Sequence, residues 1–343
     1  MKRLLNTLFV TTQGAYLARK GETVVVREGH ETKLRVPVHT LGGIVCFGRV
    51  SCSPQLMHLC AERDITISFL SLHGRFYARV QGPVSGNVLL RREQYRRADK
   101  PKASASIARA IVAAKVANSR SVLQRAARDH PGKVDIPSLQ KATREMARTL
   151  KKLRKNAPLA GIRGYEGQGA RTYFGVFDEL ITAQQEDFQF EERNRRPPTD
   201  KINSLLSFCY TLLLHDCISA LESVGLDPAV GYLHRDRPGQ PGLALDLMEE
   251  FRAFLADRVT LSLINRRQLT ADDFRTSESG AVTMSDNARK QVLVAYQERK
   301  QTEIHHPFLE EKMATGLLPY SQALLLARHL RGDLDGYAPF LWK

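Results

Sequence analysis

Up to about Gly86 the apolar positions fall in short alternating runs cut by turn residues, which is the pattern of a β-rich segment. Residues 8–12, 16–19, 23–27 and 33–37 read as strands, and Gln13-Gly14, Lys20-Gly21 and Gly29-His30 between them predict successive hairpins. Residues 65–70 and 75–80 flank Leu72-His73-Gly74 in the same manner. One helix interrupts the strands, with Ser53 as its N-cap, Pro54 at its first position and an end near Glu62.

Beyond Gly86 the period changes from two to that of a helix. Ile107, Ile111, Ala114, Asn118, Val122 and Leu123 recur at helical spacing, with Lys115, Arg120, Arg125 and Arg128 interleaved on other faces. This predicts one long amphipathic helix that stops at Asp129-His130-Pro131-Gly132. A second basic helix is expected over 138–155, closed by Asn156-Ala157-Pro158. Further helices are expected over 169–184, 199–224, 241–259, 285–301 and 320–330. Thr199 or Asp200 caps the second of these after Pro197-Pro198. No strand-rich stretch recurs. The chain therefore reads as α+β: an N-terminal β-rich domain over 1–86, a linker over 87–102 and a larger all-α domain over 103–343.

Charge sharpens this picture. The chain carries 51 Lys and Arg against 36 Asp and Glu, a formal net charge of +15. Between Arg91 and Arg163 the count is 20 against 5, so the whole excess sits in that segment and the remainder is balanced. A localised basic surface is the electrostatic footprint of phosphate binding, and nucleic acid is the natural partner. An anionic membrane competes for the same charge. The segment's apolar residues are mostly Ala, Ile and Val, without the Trp, Phe and Leu face that anchors an interfacial helix. A solvated face that binds nothing is the plainer alternative. No apolar run approaches the roughly 18 residues that span a bilayer. The start of the chain lacks the long apolar region and small-residue cleavage site of a signal peptide. Five cysteines without a CxxC pair support neither a disulfide framework nor a zinc ribbon, and a cytoplasmic location is expected.

Three segments carry candidate chemistry: Gly164-Tyr165-Glu166-Gly167, Gly231-Tyr232-Leu233-His234, and Leu245-Asp246-Leu247-Met248-Glu249-Glu250-Phe251-Arg252. A carboxylate, an imidazole and a second carboxylate form a ligand set suited to Mg²⁺ or Mn²⁺. Each has a structural reading as well. Glu166, just ahead of a helix expected from residue 170, would complement that helix's N-terminus. His234 lies in a loop punctuated by Gly and Pro, and Asp246, Glu249 and Glu250 at i, i+3 and i+4 could form a solvated helix face.

Together with Arg193-Asn194-Arg195-Arg196-Pro197-Pro198-Thr199-Asp200 and the closing Leu325-Leu326-Ala327-Arg328-His329-Leu330-Arg331-Gly332-Asp333, these segments resemble the CRISPR-associated integrase. This family, also called the CRISPR-associated endonuclease of the adaptation stage, inserts new spacers into CRISPR arrays. The resemblance covers nearly the whole chain, and the closing segment is most similar to subtype I-C. It implies metal ligation by Glu166, His234 and Glu249, with Asp246 in support. Many relatives carry Asp at the last position, which leaves Glu250 as an alternative ligand.

The implied reaction is attack by the 3′-hydroxyl of a DNA prespacer on a phosphodiester at the edge of the repeat. Water as nucleophile would give cleavage of branched DNA. A homodimer formed through the N-terminal domains is implied too, two such dimers clamping a dimer of a small second adaptation protein. Phosphate contacts are expected from Lys115, Arg120, Arg125, Arg163, Arg193 and Arg196; salt bridges to Glu191, Glu192 or Asp200 are the alternative for the last two. Two other functions compete: a metal-dependent repair nuclease outside CRISPR, and a non-catalytic DNA-binding scaffold.

Overall fold

The computed structural model describes residues 6–63, 65–72, 76–80, 82, 88–194 and 197–342. Its chain partitions into two units. The first comprises Met1–Gly86, Gln297–Thr302 and Ala314–Leu317, and the second comprises the rest.

In the first unit, β1 (Asn6–Val10), β2 (Ala15–Lys20), β3 (Thr23–Glu28), β4 (Glu31–Pro37), β5 (Leu41–Phe47), β6 (Ser51–Cys52), β7 (Thr66–Leu70) and β8 (Phe76–Val80) make two sheets. One has the order β4-β3-β2-β6 and the other β1-β5-β7-β8. The hairpins β2–β3 and β3–β4 form as the turn residues predict, with Gly21 and Gly29 at φ of 59° and 58°, where a Cβ would be strained. The expected hairpin across Gln13-Gly14 does not form. β1 instead pairs in parallel with β5, a strand not predicted from the sequence, where Gly42 and Gly43 weaken the β signal. A parallel pair needs a long crossover, and β2 to β4 supply it. β7 and β8 are antiparallel, while the expected turn at His73-Gly74 lies outside the described residues. Helix α1 (Pro54–Glu62) starts as expected, with the Ser53 side chain accepting from the Leu56 N–H. Leu56 and Cys60 from this helix pack with Leu17, Ile44, Cys46 and Ile67 in a fully buried core.

The second unit begins with α2 (Val88–Ala98), where a linker was expected, and continues with α3 (Pro101–Asp129), α4 (Ile136–Leu153) and α5 (Leu159–Phe174). α2 is no spacer. Its fully buried Gln94 donates from Nε2 to the carbonyls of Asp227 and Val230 at 2.8 and 3.0 Å and accepts from the Asp227 N–H at 2.9 Å. Next come α6 (Lys201–Ser223), capped by Asp200, and α7 (Gly242–Met248). After Met248 the expected helix over 241–259 breaks, resumes as a π-helical turn over Arg252–Asp257 and ends as α8 (Arg258–Asn265).

Two small two-stranded sheets, β9 (Phe274–Thr276) with β10 (Val282–Met284) and β11 (Glu303–His305) with β12 (Lys312–Ala314), qualify the all-α expectation. Helices α9 (Asp286–Gln301) and α10 (Leu318–Arg331) complete the order. α6 is the one helix among the described residues long and apolar enough to cross a membrane, contrary to the sequence reading, but 67 % of its apolar window is buried in the fold. It is the central core helix of this unit, with Leu205, Leu206, Cys209, Leu213 and Cys217 fully buried.

Candidate active site

α3 packs against both α4 and α5, and one glycine sets how closely α5 approaches. A Cβ on Gly169 would lie 2.8 Å from Val116 Cγ2, so only glycine lets α5 settle there. Glu166 is one turn before Gly169 on the same face, and Lys115 neighbours Val116. The close approach thus delivers the Glu166 carboxylate to the Lys115 ammonium, and the two form an ion pair. Glu166 does not serve a helix N-terminus. It sits within α5, because the glycines that read as a loop are absorbed into a helix begun after Pro158.

From the end of α7, Glu249 reaches the same ammonium, with Oε2 2.7 Å from Lys115 Nζ and Oε1 3.3 Å from Arg252. This oxygen is buried, with the Lys115 ammonium beside it. Burial pushes the Glu249 carboxyl up, yet Arg252 and Lys115 outweigh it and hold the group at about 2, with His234 adding to the pull. Glu249 therefore stays ionised at neutral pH.

His234 hangs on a loop that Asp246 organises from α7 below. Asp246 Oδ2 accepts from the backbone N–H groups of Tyr232 and Leu233 at 2.6 and 2.9 Å. Its Oδ1 takes the His234 N–H at 2.9 Å and ring Nδ1 at 2.7 Å. Asp246 is fully buried, and its four contacts fix both the loop and the ring. Gly231 has no room for a side chain: a Cβ would meet the Gly242 carbonyl carbon at 2.7 Å and Asp246 Oδ2 at 3.0 Å. With Nδ1 on Asp246, Nε2 is the ring nitrogen left for a ligand role, the arrangement in which a carboxylate orients a metal-binding imidazole.

Glu250 serves something else. Its carboxylate is fully buried and accepts from Tyr337 Oη at 2.5 Å, the Phe340 N–H at 2.7 Å and Gln322 Nε2 at 3.0 Å. Burial pushes it up to about 8 against the pull of those donors. Of the two adjacent acids, Glu249 is the one that shares a cation with Glu166.

Among the described residues no group of three or more His, Cys, Asp or Glu side chains is assembled around a common point. Lys115, expected as a phosphate contact, is instead the cation between the two carboxylates. Its position on α3 gave a signal: it follows Ile111 by four residues, a lysine on a face that buries Ile107, Ile111 and Val122. The donor set nevertheless fits a hard divalent cation. Two carboxylates already converge on one positive charge, and carboxylate oxygens are the donors such a cation takes.

The arginines chosen from the sequence are occupied by the fold. Arg120 Nε donates to the Thr143 carbonyl on α4 at 3.2 Å, and Arg125 stacks over Trp342 at 4.5 Å. Arg163 Nε donates to the Leu233 carbonyl at 2.7 Å and so braces the His234 loop. Arg193 donates to Asn203 Oδ1 at 2.6 Å and Ser207 Oγ at 3.0 Å, and lies over Tyr210. Arg196 lies outside the described residues. A stripe of exposed cations runs along α4, where Lys141, Arg144, Arg148 and Lys151 follow one another at intervals of three and four on one face and enter no salt bridge among the described residues.

Residues 8–298 match the family described as CRISPR associated protein Cas1. The CRISPR-associated endonuclease Cas1 1 of Chlorobaculum tepidum is 56 % identical over 343 residues, covering 100 % of both chains. Among solved structures, a casposase bound to integration product superposes with a TM-score of 0.83 at 21 % identity, covering 98 % of this chain and 94 % of that one. A chain of a Cas6-RT-Cas1–Cas2 complex gives 0.80 at 23 % identity, with 98 % of this chain and 36 % of that chain covered. At such identities the structural matches speak for the fold, and the sequence match over the full length speaks for the family: the chain belongs to the Cas1 family of CRISPR-associated endonucleases.

Proposed function

We propose that this chain inserts new spacers into a CRISPR array by joining the 3′-hydroxyl ends of DNA to phosphodiesters at the repeat boundary, and that it cleaves branched DNA at the same site. The observation that carries the reading is the meeting of Glu166 on α5 with Glu249 at the end of α7 around one positive charge, beside a histidine braced by a buried aspartate. Glu166, Glu249 and His234 would hold Mg²⁺ or Mn²⁺, which supplies Lewis-acid stabilisation of the charge that grows on the scissile phosphate. Arg252 keeps Glu249 ionised, Asp246 keeps the ring of His234 in place, and Arg163 holds the Leu233 carbonyl, so the protein's share is a preset geometry.

A strand-transfer assay tests this, using labelled 3′-hydroxyl DNA and a supercoiled repeat plasmid with Mg²⁺ or Mn²⁺. Joined product from wild type and none from Glu166→Ala is expected. Cleavage without joining would favour the repair nuclease, and salt-sensitive binding without any reaction in either protein would favour the scaffold.

The α4 stripe is the proposed DNA-backbone contact. Replacing both Arg144 and Arg148 with Ala should weaken DNA binding uniformly across sequences and reduce the slope of log affinity against log salt by about 2, or about 1 per lost contact. An unchanged slope would remove the stripe from the interface.

The assembly proposed is a homodimer formed through the N-terminal unit, two such dimers clamping a dimer of the small second adaptation protein. One structural neighbour is a Cas1–Cas2 complex, which supports Cas2 as that partner. Similarity of the closing segment supports subtype I-C. All five cysteines are free thiols, which suits the reducing cytoplasm proposed as its location.

A further inference from the structure

Residues 337–342 form an extended strap whose backbone hydrogen bonds go to side chains. Asn118 on α3 treats the strap as a neighbouring strand would: Oδ1 accepts the Trp342 N–H at 2.8 Å and Nδ2 donates to the Phe340 carbonyl at 2.9 Å. The same Nδ2 donates to the Glu250 carbonyl at 2.7 Å. Ser121 Oγ donates to the Trp342 carbonyl at 3.1 Å, and Gln322 Nε2 to the Ala338 carbonyl at 3.0 Å. Tyr337 Oη and the Phe340 N–H together hold both oxygens of Glu250. Aromatic contacts follow the same path. Phe340 packs on Phe251 and Phe254 at 5.8 and 5.3 Å, and the Trp342 ring is flanked by the guanidinium groups of Arg125 and Arg258 at 4.5 and 4.7 Å. Glu250, Gln322 and Phe340 are fully buried and Asn118 nearly so, which makes this a dry, satisfied polar network rather than a tail resting on a surface.

The turn under the strap is the one that carries Glu249. Between α7 and the π-helical turn the backbone N–H groups make three-residue closures: Glu249 N–H to Asp246 O at 3.2 Å, Glu250 N–H to Leu247 O at 3.3 Å and Phe251 N–H to Met248 O at 3.0 Å. The first two are long, so neighbours must settle where this turn points. Both neighbours sit on α3, one helical turn apart, with Lys115 on the Glu249 carboxylate and Asn118 on the Glu250 carbonyl and the strap.

We infer that the strap, residues 337–342, is a positioning element for Glu249: by gripping the carboxylate of Glu250, whose carbonyl Asn118 ties to the same strap, it fixes the turn that aims the Glu249 carboxylate into the active site. The inference rests on Glu249 being a metal ligand. Misplacement of a reacting or ligating group by about 1 Å suffices to lose function, so a network that holds the adjacent residue by four hydrogen bonds is matched to that need.

Trp342 is the only tryptophan in the chain, and its emission reports whether the strap is docked. Asn118→Ala removes three tethers at once, and Tyr337→Phe removes one hydroxyl from Glu250 while keeping the ring. Each variant is compared with wild type in the full-length protein for Trp342 emission, Mn²⁺ affinity from the resonance of free Mn²⁺, and DNA affinity. The expected result is a red-shifted emission with Mn²⁺ bound about tenfold more weakly, unchanged DNA affinity, and a joining rate that recovers at saturating Mn²⁺. A red-shifted strap with wild-type Mn²⁺ affinity would overturn the inference. Glu166→Ala, measured alongside, separates the two levels: if it too binds Mn²⁺ like wild type, the metal site itself fails and the strap's role falls with it.

Discussion

Asp246→Asn is expected to lower strand joining by about 100-fold or more, the upper end of what losing a partner of a metal-binding histidine costs, while DNA binding holds at the wild-type level. The substitution changes one oxygen to an NH₂ group and nothing in volume. Both oxygens of Asp246 face donors, with two backbone N–H groups on Oδ2 and one N–H and the imidazole Nδ1 on Oδ1. Whichever way the Asn side chain turns, its NH₂ confronts at least one backbone N–H, and on the His234 side it also drives the ring toward the tautomer with Nδ1 unprotonated, which places the proton on Nε2. The loop from Gly231 to His234 cannot relieve this by shifting toward α7, because Gly231 already lies against the Gly242 carbonyl. It must move outward, taking His234 with it. A buried donor left without an acceptor costs about 1–3 kcal/mol, so the unfolding midpoint should fall as well. The check is the joining rate at saturating DNA, read beside DNA affinity and urea unfolding. A normal rate in a protein with wild-type stability would show that Asp246 does not hold the ring.

Much of this site could be read in the chain before its fold was known, and the gaps have physical causes. The segments around Glu166, His234 and Glu249 stand out by residue type and order, yet spacing could not choose between Glu249 and Glu250, which differ only in direction. After Met248 the two part: the helix changes to a π-helical turn, with Glu249 on Lys115 and Glu250 on the closing strap. Propensity misplaced α5, because Gly161, Gly164, Gly167 and Gly169 weaken a helix locally and only packing on α3 makes it worthwhile. β5 was missed for a similar reason, its two glycines sitting in a strand that parallel neighbours complete on both sides. Hairpins and caps were legible because they are local: Lys20-Gly21, Gly29-His30, Ser53 and Asp200 act within a few residues of themselves. The basic segment was legible as a whole but not residue by residue. Arg120, Arg125, Arg163 and Arg193 have carbonyl, aromatic and amide partners from distant parts of the chain, and the unpaired cations of α4 became visible only once its exposed face was known.

Lys115→Met should destabilise the protein by about 3 kcal/mol in the presence of a chelator, the scale expected when one partner is removed from a buried ion pair. Methionine keeps the length and the apolar stem but deletes the charge that Glu166 and Glu249 share. Glu249 is 3 % exposed, and with Lys115 gone its direct counter-charge is Arg252, 3.3 Å from Oε1. Two carboxylates drawn together with too little positive charge repel each other and resist burial, so either the site opens or one of them takes up a proton. A divalent cation should reverse the loss, because it binds the folded site and stabilises it in proportion to the logarithm of its concentration over its dissociation constant. In wild type that gain is smaller, since the cation must first displace the ammonium of Lys115. Urea unfolding with chelator and with Mn²⁺, for both proteins, gives the four stabilities needed. If the variant is as stable as wild type in chelator, the ion pair carries no net weight in the fold. Should the variant be destabilised yet gain no more from Mn²⁺ than wild type does, the lysine and the metal do not compete for the same two carboxylates.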